Sequence, residues 1–246
     1  MAGLGRLFLQ ELPEGTELAV VLLDDNSSDD TADAVRAQFP QVRLLRGNGD
    51  LLWRGGMRYA FAEVLREDFD FYLLLNDDTR LEPDEVTRLL STYHSVSTGH
   101  GIMAIIVAST CDPQTGMLTY GGVLRSSRIH PITYLPVQRG QCPWPCYTMN
   151  GNCVLIPRAV AVVAENLSAE FRPGIVDFDY GLRARQPAAR CGCRQDSPAP
   201  VHRMARQADS RTWASPMRRR WQHMMSHNGL PPDEYLVYVR WHGGHF

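Results

Sequence analysis

The chain contains no lysine; all 25 of its basic residues are arginine. That absence excludes a lysine nucleophile or Schiff base, and it reflects a GC-rich coding sequence rather than a physical demand. Excess charge of one sign is also lacking. The 25 basic and 27 acidic residues leave a formal net charge of −2, so no overall positive field draws the chain to nucleic acid. No apolar run approaches the roughly 18 residues of a membrane span, and the N-terminus has no charged-then-apolar leader. With only six cysteines (Cys111, Cys142, Cys146, Cys153, Cys191 and Cys193), these absences predict a reduced, cytoplasmic setting. Cys142/Cys146 and Cys191/Cys193 could supply four zinc ligands. Neither pair has the usual two-residue spacing, and no histidine pair accompanies them.

A hydrophobic content of 44% over 246 residues is enough for the core of one α/β domain. In the first 110 residues, short apolar runs alternate with helical patterns. "ELAVVLLDD" reads as a buried strand and "SSDDTADAVRAQFP" as a helix stopped by Pro40. "VRLLRG" is a second strand, and "GNGDLLWRGGMRYAFAEVLRED" a glycine-containing loop feeding a helix. "FDFYLLLNDDT" is a third strand, "EPDEVTRLLSTYH" a helix with proline at its start, and "GIMAIIVAS" a fourth strand. This alternation predicts a doubly wound, mostly parallel sheet with its ligand crevice beyond the carboxyl ends of the strands. Turn residues crowd the chain after residue 110. There "CYTMNGNCVLIPRAV" reads as a strand entering a helix and "FRPGIVDFDYGLRARQ" as a helix start.

Two of the strands end in adjacent carboxylates, Asp24–Asp25 and Asp77–Asp78. Folding gains nothing from such like-charged pairs. A turn with a helix cap accounts for the residue types, and so does a cation site.

An ordered set of motifs between about residues 17 and 203 resembles the inverting glycosyltransferases of family 2, especially the branch with rhamnosyltransferase-like enzymes. "LLDDNSSDDT" resembles the family's acidic strand end, "GNGDLLWRGGMRYAF" its glycine–arginine segment and "LLLNDDT" its Asp-x-Asp-type motif. "NGNCVLIPR" resembles its acceptor-side strand, and "VDFDYGLRAR" its catalytic-base segment. The resemblance implies an A-type, Rossmann-like nucleotide-sugar fold. Residues 1–110 would bind a UDP- or dTDP-type sugar donor, residues 111–205 the acceptor, and residues 206–246 would form a helical tail. It further implies metal-dependent transfer with inversion to a glycan or lipid-linked glycan acceptor, in cell-surface polysaccharide synthesis.

The chemistry rationalises the residue types. A departing nucleoside diphosphate gains negative charge, which Mn²⁺ or Mg²⁺ neutralises, and such ions favour carboxylate oxygens and water. By resemblance Asp78 ligates the metal, Asp77 touches metal or ribose, and His202 completes the shell. Asp25 accepts the N3–H of a uracil-type base, and Arg58 lies near the nucleotide. Asp177 is the general base, and Asp179 pairs with Arg183 four residues on. Each has a plainer alternative. Asp25 and Asp177 could be helix caps, Arg58 a solvated charge, and His202 a structural histidine. Trp53 and Trp144 could be sugar platforms or core residues. Residues 215–239, with Arg218, Arg219, Arg220 and Trp221, could lie on the membrane surface as a peripheral contact or form a packed helix with a solvated face.

The sequence departs from the family in three places. Val176 stands where many members have glutamate. "QPAARCGCRQDSPAP" lacks the usual Gly-Tyr. A first strand of the type V-x-V-x-x-P-T-Y/F-N is absent, and "MAGLGRLFLQELPEGTE" reads as a helix remnant and loop. The expectation is therefore exposed apolar edges on both neighbouring strands. The alternative function is a non-catalytic nucleotide-sugar-binding or interaction domain left by N-terminal truncation.

Overall fold

The computed structural model describes residues 2–100, 103–127, 133–137, 144–171, 173–185, 190–200, 216–225 and 231–243. It opens with helix α1 (Ala2–Phe8) and a loop, as the N-terminal sequence suggests, before strand β1 (Val21–Asp24). Helix α2 (Thr31–Gln38), strand β2 (Arg43–Arg46), helix α3 (Leu52–Val64), strand β3 (Phe71–Leu75), helix α4 (Glu85–His100) and strand β4 (Ala104–Cys111) follow the expected order. Next come the short strands β5 (Leu118–Tyr120), β6 (Gly122–Arg125), β7 (Tyr134–Pro136), β8 (Trp144–Cys146) and β9 (Thr148–Met149). The chain ends with strand β10 (Cys153–Pro157), helices α5 (Arg158–Ala164) and α6 (Pro173–Arg185), strand β11 (Arg190–Pro200), and helices α7 (Met217–Met225) and α8 (Pro232–His242).

Among the described residues the sheet is mixed, with parallel and antiparallel pairs. β1 pairs β2 in parallel and β4 pairs β11 in parallel, but β10 lies between β3 and β4, antiparallel to both. The main sheet runs β3-β10-β4-β11-β8, with β5 on β4. β6, β7 and β9 form a separate three-stranded sheet. A strand inserted from 80 residues downstream leaves no trace in local alternation, because pairing of this kind depends on non-local packing.

The central strands divide their side chains by the two-residue period of a pleated strand. Tyr72 and Leu74 of β3, Ile105 and Val107 of β4, and Val154 and Ile156 of β10 face one core, closed by α3, α5 and α6. Ile106, Cys153 and Leu155 face the other, closed by α1 and α4. Burial on both faces explains why these strands read as continuous apolar runs.

β1 and β2 stand apart as a two-stranded sheet. Between β1 and β3 lies a cavity of about 1580 Å³, lined by Val21, Leu22 and Leu23 on one side and by Leu73 and Leu74 on the other. Among the described residues, the edge of each strand on this side makes no ladder.

Candidate active site

The acidic tip of β3 is a tight turn. The Thr79 N–H donates to the Asn76 carbonyl (3.1 Å), which leaves Asp77 and Asp78 as its central, exposed residues, while Thr79 is buried. The turn is anchored below. The Asn152 carbonyl accepts from the Asn76 N–H (3.1 Å) and from the Thr79 hydroxyl (3.4 Å). The Asn76 amide oxygen accepts from the Trp53 indole N–H (2.7 Å). An indole is only a donor, so this contact orients the amide and presents its NH₂ group beside Asp77. Trp53 also packs against the core, the plainer of the two roles weighed for it.

Asp177 sits in α6, which spans Pro173–Arg185, so it is an interior helix residue and not a cap. Its Oδ2 accepts the Gly151 N–H at 2.8 Å. Burial pushes its carboxyl up to about 7, against the opposing pull of that hydrogen bond. Gly151 lies so close that a Cβ there would stand 2.9 Å from the carboxylate carbon, so no side chain fits without moving Asp177. One turn, residues 150–152, therefore holds both the Asp77–Asp78 tip and Asp177. Asp179 points elsewhere and accepts from Arg183 Nε at 2.8 Å, the i,i+4 pair expected from sequence.

Asp25 caps no α2 terminus. Its carboxylate accepts the N–H groups of Gly49 (2.8 Å), Leu51 (2.9 Å) and Leu52 (3.1 Å), and so gathers the glycine-containing loop and the start of α3. A Cβ at Gly47 would meet Asp25 Oδ1 at 2.3 Å, hence glycine at that position. Leu52 is held at φ 54°, an uncommon conformation for a bulky residue. The cap-like bond next door belongs to Asp24, whose Oδ1 accepts the Ser27 N–H (3.1 Å).

Arg58 Nε donates to the Leu167 carbonyl (3.0 Å), and Arg54, one turn earlier, donates to the Phe171 carbonyl (2.7 Å). Both arginines lash α3 to the loop between α5 and α6. Asp25, Asn76 and Asp77 border the β1–β3 cavity, and Arg58 does not. His202 lies outside the described residues. The Trp53–Asn76 contact, the Gly151 donor and the C-terminal His242, whose Nε2 stands 2.8 Å from Asp179 Oδ1, were not anticipated. The only signal for the first two was the placement of Trp53 and "NGN" within motif segments.

Two exposed carboxylates fit a cation of the Mg²⁺ or Mn²⁺ type, which keeps several waters and takes one or two carboxylates with substrate phosphates completing its shell. Among the described residues no third histidine, cysteine, aspartate or glutamate joins them. Likewise no described helix is long and apolar enough to cross a membrane.

A search of curated proteins finds no match to the chain. Among solved structures it is similar to a 1–349 fragment of S. aureus TarS (TM-score 0.56, 15% identity), covering 80% of this chain and 54% of that one. The same fragment in complex with UDP gives a TM-score of 0.53 at 14% identity, covering 80% and 54%. GalNAc-T7 with UDP, GalNAc and Mn²⁺ gives 0.50 at 12%, covering 83% and 42%. The chain thus spans about half the length of these proteins or less, and likeness at such identities shows the fold. The fold, with one acidic strand tip and a buried helical carboxylate bonded to the same turn, accords with the match of residues 4–149 to Glycosyl transferase family 2, and the chain belongs to that family.

Proposed function

We propose that the chain transfers a sugar from a UDP- or dTDP-type donor to an acceptor hydroxyl with inversion at C1, in the synthesis of cell-surface polysaccharide. The observation that carries this reading is the shared turn at 150–152, to which both the Asp77–Asp78 tip and Asp177 are bonded. It allows a nucleotide diphosphate and an acceptor hydroxyl to meet between the two.

Residues 1–110 form the donor side, 111–205 the acceptor side and 206–246 a helical tail. Asp78 and Asp77 would hold Mn²⁺ or Mg²⁺, with His202 as a further ligand, and such an ion would supply positive charge against the departing diphosphate. Asp25 shapes the loop that receives the nucleotide base, and Arg58 supports α3 behind it. Asp177 accepts the acceptor hydroxyl's proton as its oxygen attacks C1. A carboxyl raised to about 7 suits that task, since a base works best near the operating pH. The acceptor is a glycan or lipid-linked glycan. Exposed Met217, Trp221 and Met225 beside Arg218 and Arg219 on α7 support peripheral contact with a membrane surface, at its cytoplasmic face.

The open cavity between β1 and β3 favours a second reading, nucleotide-sugar binding without turnover. Calorimetry with UDP, dTDP and GDP, each with and without Mn²⁺, tests the common part. Mn²⁺-dependent binding of UDP or dTDP that disappears in Asp78→Ala is expected. Equal affinity in variant and parent sinks the metal assignment. Nucleotide release from a panel of UDP- and dTDP-sugars then separates the two readings.

A further inference from the structure

We propose that His242, at the end of α8, is a positioning residue for the base-bearing helix, fixing α6 where Asp177 meets the Gly151 N–H. The inference rests on the reading of Asp177 as the base. Asp179 has no exposed surface, yet both of its oxygens are engaged, Oδ2 by Arg183 Nε and Oδ1 by His242 Nε2, each at 2.8 Å. An ionised carboxylate only accepts hydrogen bonds, so Nε2 carries the proton. Arg183 is itself fixed by the carbonyls of Ala164 and Asn166, the latter at 2.9 Å. Of the two described groups holding Asp179, His242 is the one from outside the α5–α6 unit, so it ties that unit to α8.

The helix geometry transmits this tie. Residues two apart on an α-helix point about 200° apart. Asp177 therefore faces the 150–152 turn while Asp179 faces α8, on opposite sides of one short stretch. α8 also steadies Phe178, the residue between them. The Tyr238 hydroxyl is 2.5 Å from the Tyr134 hydroxyl, and the Tyr134 ring lies 4.7 Å from that of Phe178. His242 packs against the Tyr238 ring at 4.9 Å, which limits its rotamers. Loss of the Nε2 donor leaves a buried carboxylate oxygen unpaired, a strong force for rearrangement. A shift of α6 by about 1 Å at the reacting group costs roughly 10²-fold in rate.

The test compares His242→Phe, which keeps a ring but no donor, with His242→Gln, whose amide restores an N–H near the Nε2 position. The first readout is hydrogen exchange at the Gly151 amide, which needs no acceptor. The second is Mn²⁺-dependent nucleotide release from the UDP- or dTDP-sugar that the parent cleaves fastest, with water as acceptor, per folded molecule. For His242→Phe, Gly151 exchange at least tenfold faster is expected, with kcat reduced 10- to 100-fold and donor KM within twofold. His242→Gln should recover kcat to within about threefold. Unchanged Gly151 exchange and kcat in folded His242→Phe overturns the proposal. Should His242→Phe not fold, His242→Asn, a shorter amide, takes its place, and equal kcat for the Asn and Gln variants overturns it. Asp177→Asn separates the two claims. If that variant turns over normally, the base reading has failed. If it is inactive while the His242 variants match the parent, only the positioning role has failed.

Discussion

The Gly151 N–H donates to Asp177 Oδ2 at 2.8 Å, and a Cβ at Gly151 would meet both carboxylate oxygens at 2.9–3.1 Å. The contact is too tight for any side chain and close enough to fix the direction of the Asp177 carboxylate. Gly151→Ala is therefore expected to displace Asp177 without touching the nucleotide. The expected outcome is a kcat lower by about 10- to 100-fold, from misplacement of the reacting group, with UDP affinity unchanged in calorimetry. Equal loss of UDP binding would mean that the turn carries the donor as well.

The raised Asp177 carboxyl makes two opposite pH predictions. A base must be ionised, so the rate should climb about tenfold per pH unit below 7 and level off above it, with the midpoint near 7. Asp177→Asn should lose about 10²–10⁴ in rate together with this acid limb. Stability runs the other way. The folded-state value of about 7 lies above the ordinary 3.8, so the folded protein binds the extra proton. The associated stability is complete below the ordinary value and is lost as pH rises through 7. Above pH 7, Asp177→Asn should be the more stable protein, by on the order of 2 kcal/mol once its weaker bond to Gly151 is allowed for. Urea melts at pH 5 and pH 8 check the crossover.

Asp25 gathers three backbone N–H groups of the loop before α3. In Asp25→Asn one acceptor oxygen becomes a donor facing those donors. Loss of loop order is expected, costing roughly 1–3 kcal/mol, with weaker binding of every nucleotide. A loss confined to uridine and thymidine diphosphates, with guanosine diphosphate spared, would instead place the carboxylate directly on the base. Calorimetry of the three diphosphates decides between them.

The elements legible in the sequence were those whose signals are local. β1 through α4 follow from short apolar runs ending in Asp, Asn or Gly, and α6 from its Asp179–Arg183 spacing. Three things were not legible, each for a physical reason. β10 pairs β3 across 80 residues, and no periodicity encodes a partner. The sequence places Arg58 in a motif, but its direction is set by the phase of α3, which turns it with Arg54 toward the loop after α5. His242 lies beyond the matched residues, in a tail whose composition carries no clear pattern, and its contact with Asp179 exists only once α8 has docked. The acidic tip illustrates the remaining ambiguity. Asp77 and Asp78 do occupy a turn, and both are exposed at its tip, so the plain reading of "NDDT" holds without excluding the chemical one.

The cavity between β1 and β3 yields the final prediction. Among the described residues each strand pairs on one side only, β1 with β2 and β3 with β10, and their other edges border about 1580 Å³ of mostly apolar space. An unpaired edge leaves backbone donors and acceptors without ladder partners, and the apolar walls beside it lose contacts. The chain of 246 residues should therefore melt at low temperature and with weak cooperativity. Extending it before Met1 by about 25 residues that include an apolar, β-branched strand should close the gap and join the two sheets. At roughly 2–4 °C per kcal/mol for a domain of this size, a gain of a few kcal/mol raises the melting temperature by several degrees. Scanning calorimetry of the two forms is the check. The control is an extension of equal length in which the apolar residues are replaced by serine and glycine, which can occupy the space but cannot fill the walls. Equal melting temperatures for the apolar and polar extensions, or a cooperative high-melting transition in the unextended chain, would show that the edges are already satisfied.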